Sequence, residues 1–264
     1  MNAGVNDGVN AVLDALDAAA APVHFFIRDD DAGWDDARLF ALLDCTELAG
    51  VPIDLAVIPH ATGARLAADL CRRVEASGGR IGLHQHGHAH VDFETTGRKC
   101  EFGPERACEA QRADLIAGRT HLRACFGARL DAYFTPPWNR CSEATPCLLA
   151  ELGYAGLSRD RSAPAQRALP ELRVDLDWCR EQRLATERGE SGSDAAGAAL
   201  ARHVRGGATV GLMLHHAAMS DAEFDWLRTA LRRWSHHPNA RWQRMRCLMP
   251  AAAGRAACRT EEMS

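Results

Sequence analysis

HFFIRDDDAGWDDARLFALLDCTELAGVPIDLAVI, residues 24–58, sets out the fold in miniature. Residues 24–28 are a short, mostly apolar strand, residues 34–49 carry a helical pattern, and residues 52–58 are a second apolar strand. A strand that is apolar at nearly every position has both faces covered, which is the condition of a parallel sheet whose crossovers are helices. The stretch therefore predicts a βαβ unit.

The alternation continues on the C-terminal side. Helices are expected over 61–76, 104–125, 144–152, 195–204 and 221–234, and strands over 80–84, 130–135, 154–157, 172–176 and 209–214. The first three strands begin at 24, 52 and 80, a spacing that suits βα units. Six or seven such units predict a barrel closed or nearly closed on itself, with an open doubly wound sheet as the lesser alternative. In either architecture the site lies at the C-terminal ends of the strands. Residues 188–199, rich in Ser, Gly and Ala, read as a loop entering a helix and not as a linker, and the tail after Pro250 reads as frayed. One domain over 1–264 is expected, with its motif-bearing core at about 22–247.

Composition excludes several classes. A net charge of −4 with no basic stripe argues against a nucleic-acid face. The N-terminal stretch lacks a Lys/Arg-headed apolar core, and no run has the roughly 18 apolar residues of a membrane span, so a cytoplasmic protein without membrane contact is expected. The 10 cysteines have no close pairing, which predicts reduced thiols acting mostly as small buried hydrophobes, without disulfides or cysteine-bound zinc.

Polar residues gather at the strand ends: Asp29, Asp30 and Asp31 after the first strand, His84, His86, His88 and His90 after the third, and His215 and His216 after the strand at 209–214. Adjacent carboxylates repel one another unless a cation neutralises them, and clustered imidazoles suit zinc and other first-row ions. Two histidines four apart can face one ion. Both His84/His88 and His86/His90 meet that spacing, and the spacing does not choose between them.

The ordered set Phe26-Ile27-Arg28-Asp29-Asp30-Asp31-Ala32-Gly33, His86-Gly87-His88-Ala89-His90, Phe134-Thr135-Pro136-Pro137-Trp138, Asp175-Leu176-Asp177-Trp178 and Leu212-Met213-Leu214-His215 resembles the five motifs of the polysaccharide deacetylases, carbohydrate esterase family 4. The resemblance runs from about residue 24 to 216. It implies a distorted (β/α)7 barrel and a metal-dependent hydrolase that removes an N-acetyl or related C–N amide group from an amino sugar or glycoconjugate. It implies Asp30 as catalytic base, and Asp31, His86 and His90 as ligands of a divalent ion, zinc first, with cobalt, manganese, nickel or iron as alternatives. No organic cofactor is implied. Asp29 becomes the spare carboxylate, His84 and His88 become neighbours, and His215 is the general acid ahead of His216. The backbone N–H of Trp138, beside Pro137, is the expected oxyanion donor, and Asp175 or Asp177 is expected to support His215 or an arginine.

The third motif departs from the family. Thr135 stands where the family has the arginine that orients the base, and Arg28 or Arg140 is expected to replace it. The expected partner is a saccharide or other small molecule, with a homo-oligomer left open. Two rival functions remain: hydrolysis of a small non-sugar amide, and a non-catalytic binding protein that keeps the barrel. Thr135 favours the latter.

Overall fold

The protein is described here by a computed structural model over residues 7–250. Its elements are α1 (Asp7–Asp17), β1 (Val23–Ala32), α2 (Asp36–Leu48), β2 (Ile53–Val57), α3 (Ala64–Ala76), β3 (Ile81–His86), α4 (Cys108–Phe126), β4 (Leu130–Thr135), α5 (Ala144–Glu151), β5 (Gly156–Leu157), β6 (Leu176–Asp177), α6 (Trp178–Glu187), α7 (Gly192–Gly206), β7 (Thr209–Leu214), α8 (Asp221–Trp234), β8 (Ala240–Trp242) and α9 (Met245–Leu248). Seven parallel strands follow one another in the order β5-β4-β3-β2-β1-β7-β6, and β8 joins the start of β1 through Val23–Phe25. The sheet curls round on itself. Among the described residues its two edges approach through single bridges, Leu157 with Glu171 and Asp160 with Val174. This is the distorted (β/α)7 barrel, not the open sheet.

Period-2 alternation sorts each strand between the helices outside and the barrel interior. On β1, Phe25 and Ile27 enter the large core shared with the helices, whereas Phe26 joins Leu172, Val174, Met213 and Met245 inside. Arg28 and Asp30 share the parity of Phe26. The interior is thus apolar in its middle and polar towards the C-terminal mouth. The opposite end is plugged by Arg244, whose Nε donates to Asp54 at 2.7 Å while Met245 N–H donates to the other oxygen of the same carboxylate at 2.7 Å. Gly82 permits that plug, because a Cβ there would collide with the guanidinium.

Several local expectations are corrected. The strand over 172–176 gives way to isolated bridges and the short β6: Leu172 N–H donates to the Leu157 carbonyl and Val174 N–H to the Arg159 carbonyl, and side chains add to these bonds, Arg173 donating to the carbonyls of Ala163 and Pro164 and Glu171 pairing with Arg159. Helix α7 begins within the stretch read as a loop. Three helices were not expected: α1, which buries Val9, Val12, Ala15 and Leu16, α6, in which only Trp178 and Ala185 are buried, and the single-turn α9. Among the described cysteines none forms a disulfide, but only Cys45 and Cys100 are buried while Cys108 and Cys247 are exposed, so most are not core hydrophobes. The tail after Pro250 lies outside the described residues. No helix among those described is long and apolar enough to cross a membrane.

Candidate metal centre

Three consecutive aspartates meet three different fates at the end of β1, which extends through them to Ala32 and does not stop before them. Asp29 follows the outward parity and is fully buried against His216, whose N–H donates to it at 3.0 Å and whose Nδ1 lies at 2.7 Å. Asp30 points inward to Arg28. Asp31 breaks the pleat with φ +68, at a register shift between β1 and β2 that spans Asp29 to Ala32. A bulge of this kind re-aims a side chain beside a site, and here it turns the Asp31 carboxylate to the mouth of the barrel.

His86 ends β3 and His90 follows four residues later, with φ +58. Their Nε2 atoms lie 3.2 and 3.1 Å from Asp31 Oδ1, and one ligand atom from each of the three residues lies within 4.8 Å of the others. His86 Nδ1 donates to the Thr135 carbonyl at 3.1 Å. That bond fixes the tautomer and leaves the Nε2 lone pair of neutral His86 facing a carboxylate oxygen, an arrangement that calls for a cation between them. One carboxylate oxygen and two imidazole nitrogens are also the donor set of catalytic sites that leave positions open. The residues fit a divalent ion. Where a proton on His86 Nε2 takes the cation's place, burial would still raise the Asp31 carboxyl, but hydrogen bonds from His86 and His90 and the charge of the protonated His86 outweigh it and hold the group far below the usual carboxylate range.

The chain between His86 and α4 is anchored by Glu101, fully buried, which accepts the N–H groups of His88 at 3.1 Å and Ala89 at 2.7 Å. Gly87, at φ +55, lets this loop turn, since a Cβ there would collide with Glu101 and Pro137. His84 and His88 are not brought to Asp31. His84 sits one pleat lower, with Nε2 2.9 Å from Thr135 Oγ1, and burial with the nearby Arg28 charge pushes it down to about 3, so it is neutral. His88 turns outward to Asp114 at 3.4 Å.

Arg28 stands beside Asp30. It is fully buried, donates to both Asp30 oxygens at 2.7 and 2.9 Å, and extends to Ser158 at 2.7 Å and Asn139 at 2.6 Å. Burial would raise the Asp30 carboxyl, but the Arg28 charge leads the interactions that outweigh it and hold it low. Arg140, the other expected substitute, lies elsewhere and donates to the Lys99 carbonyl.

His215 follows β7, its Nδ1 3.9 Å from Asp177 Oδ1, while Asp177 also caps α6 by accepting from Arg180 N–H. Asp175 accepts from Gly211 N–H and pairs with Arg161, so it braces β7 and does not reach His215. Trp138 has φ +55, its ring centroid lies 4.4 Å from that of His90, and Trp34 packs on the same imidazole at 4.6 Å. Pro137 is buried under this turn. The sequence did not single out Glu101, Ser158, Asn139 or Trp34, and it set Asp29 and His216 aside without seeing that they bind one another.

No family model matches this sequence, and no curated protein matches it. Solved structures do. A Mycobacterium smegmatis protein provisionally named a polysaccharide deacetylase superposes with a TM-score of 0.61 at 15% identity, covering 88% of this chain and 90% of that one. A family 4 acetyl xylan esterase from Clostridium thermocellum, in complex with a cobalt ion, superposes with a TM-score of 0.56 at 14% identity, covering 85% and 89%. A mutant of a Bacillus anthracis family 4 pseudoenzyme with restored enzymatic activity gives 0.55 at 13% identity, covering 87% and 68%. The chain therefore has the fold of the polysaccharide deacetylases and family 4 carbohydrate esterases.

Proposed function

We propose that this protein belongs to carbohydrate esterase family 4 and is a divalent-metal-dependent hydrolase that removes an N-acetyl or related C–N amide group from an amino sugar or glycoconjugate. The observation that carries this is the convergence of Asp31, His86 and His90 at the mouth of a barrel of deacetylase type, directly above a buried Arg28–Asp30 pair. Asp31, His86 and His90 would hold the ion, zinc first among divalent candidates. Bound there, it supplies Lewis acidity towards the acyl oxygen and lowers the pKa of water towards about 7.

The rest falls to the chain's own groups. Asp30, kept ionised by Arg28, accepts a proton from the attacking water. The Trp138 N–H, which no backbone oxygen accepts among the described residues, donates to the oxyanion that forms at the acyl carbon. His215 delivers a proton to the nitrogen as the C–N bond breaks, giving acetate and a free amine. Asp177 steadies His215 from 3.9 Å. Trp34 and Trp138, both against His90, offer aromatic faces to a sugar ring.

The test is acetate release from a panel of N-acetyl sugars by metal-loaded parent and Asp30→Asn protein. Release by the parent alone supports the reading. A parent that binds metal and saccharide but releases nothing from any substrate favours the second reading, a non-catalytic binding protein, for which the pseudoenzyme among the structural neighbours is a precedent.

A further inference from the structure

The chain after β4 makes two overlapping turns. Asn139 N–H donates to the Pro136 carbonyl at 3.0 Å and Arg140 N–H to the Pro137 carbonyl at 3.2 Å. The second turn has positive φ at both central residues, +55 at Trp138 and +60 at Asn139, as a type I′ turn requires. Asparagine is at ease there, because its short polar side chain tolerates the left-handed region. Tryptophan is not. A bulky residue with positive φ is strained, and such strain persists only where the surroundings over-determine it. Two holds on Trp138 are present. One is the packing of its ring on His90, with 4.4 Å between centroids. The other acts one residue later.

Asn139 is buried and its side chain is committed. Oδ1 accepts from Arg28 Nη2 at 2.6 Å, and the same nitrogen donates to Asp30 Oδ2 at 2.9 Å. Met213 Sδ, a weak acceptor, lies 2.8 Å from that nitrogen and 3.2 Å from Asn139 Nδ2. The guanidinium fork is planar and rigid, so a single nitrogen of Arg28 ties the base Asp30 to the residue that follows Trp138. A turn needs none of this, since glycine adopts the same conformation freely. The asparagine side chain is there for its bond to Arg28.

We propose that Asn139 is a positioning residue: anchored by Arg28, it keeps Trp138 in its strained conformation and so sets the Trp138 N–H in place relative to Asp30. For its chemical consequence, though not for the hold on Trp138, the proposal rests on the hydrolase reading. Base and oxyanion donor serve the same acyl carbon, and a misplacement of about 1 Å between such groups costs about 10²-fold. One guanidinium therefore aligns both.

The experiment is fluorine NMR of the full chain labelled with fluorotryptophan, in chelator, so that the first readout needs no turnover. The chain has 6 tryptophans, and the line lost in Trp138→Phe is that of Trp138. Asn139→Gly removes the acceptor and keeps the backbone conformation accessible. It should shift or broaden the Trp138 line and leave those of Trp178, Trp226, Trp234 and Trp242 in place. Arg28→Lys, whose ammonium lacks the fork, should displace the same line from the other side of the bond. Asn139→Asp keeps an acceptor and tolerates positive φ, and should hold the line where the parent has it. In metal-loaded protein, Asn139→Gly should lower kcat on an N-acetyl sugar about 10- to 100-fold, below the roughly 10²- to 10³-fold worth of a whole oxyanion donor, with KM and metal content within about twofold of the parent. A Trp138 line unmoved in Asn139→Gly and Arg28→Lys, a line that moves as far in Asn139→Asp as in Asn139→Gly, or a displaced line with undiminished kcat in an active parent would each overturn the proposal. A parent that releases acetate from no sugar would remove the hydrolase reading instead, and the fluorine lines alone would then decide the hold on Trp138.

Discussion

Arg28→Met keeps most of the side chain's length and removes its charge. Arg28 is fully buried, and it gives Asp30 two hydrogen bonds and Ser158 and Asn139 one each. Without it the Asp30 carboxylate stays buried beside neutral His84. Breaking a buried ion pair from one side costs about 3–5 kcal/mol, and at about 2–4 °C per kcal/mol for a domain of this size the melting temperature at neutral pH should fall by roughly 6–20 °C. The pH dependence has a definite sign. In the parent Asp30 is held low, so its contribution is present above the unfolded carboxylate value of about 3.9 and is lost only as pH falls through the lower folded value. In the variant burial is no longer outweighed, the folded value rises above the unfolded one, and acidification relieves the cost. The gap between the two proteins should therefore narrow as pH is lowered towards the carboxylate range. Adding Asp30→Asn should recover part of the loss, since a neutral amide needs no guanidinium. Thermal melts of the three proteins across the acidic range, in chelator, are the measurement. A double variant as unstable as Arg28→Met, with a gap independent of pH, would show that Arg28 acts through Ser158 and Asn139 and not through Asp30.

Removing the ion with a strong chelator should lower the melting temperature by mass action, and elemental analysis should find His86→Ala and His90→Ala empty while His84→Ala retains most of its metal. The reverse pattern would move the ligand set by two residues. Asp30→Asn should keep its metal and lose roughly 10²- to 10⁴-fold in kcat, the worth of a general base, so full turnover in that variant removes Asp30 from the role. Glu101→Ala strips the acceptor from the N–H groups of His88 and Ala89 and should weaken metal affinity about 10- to 100-fold in a competitive chelator titration, as loss of an outer support does. An unchanged affinity would make Glu101 a purely structural anchor. His216 loses proton affinity to burial but regains more from Asp29 and is pushed up to about 9, so the stability it contributes is complete below its unfolded value of about 6.5 and disappears as pH rises through 9. Asp29→Asn should flatten the melting curve over that interval, and an unaltered slope would refute the pairing.

The sequence exposed most clearly those elements whose burial is simplest. Apolar strands flanked by helices at regular spacing could be read as barrel units because β1, β2, β3 and β7 are covered on both faces, as is the C-terminal end of β4. The end of the barrel at residues 157–176 was harder to read, because its backbone pairs only at isolated bridges and much of its order comes from arginine and glutamate side chains meeting carbonyls and one another, with no periodicity to mark it. Helix α6 was hidden for a related reason, having two buried residues in ten, whereas the apolar spacing of α1 was present and was passed over. At the site, spacing alone left the two histidine pairs equal. What separates them is the sheet's alternation: His84 and His86 both face inward, one pleat apart, and only the upper one is level with Asp31. The bulge that turns Asp31 out of register has no sequence mark beyond the run of aspartates itself.

Thr135 has a different meaning in space than in the alignment of motifs. Its side chain is fully buried and its hydroxyl is taken by His84, whose neutrality owes part of its cause to the Arg28 charge. Arg28 and Thr135 thus meet at the same imidazole from opposite strands. A guanidinium beside Asp30 can be delivered from β4, at residue 135, or from β1, two residues before the aspartate it serves, because residues two apart on a strand share a face. This chain uses the second route, and at residue 135 the side chain is buried against His84. Loss of the arginine from the third motif is therefore not loss of the charge. The electrostatic condition that keeps Asp30 ionised is met by another residue, so Thr135 by itself does not count against catalysis, and the decision between enzyme and binding protein passes to whether Asp30→Asn changes turnover.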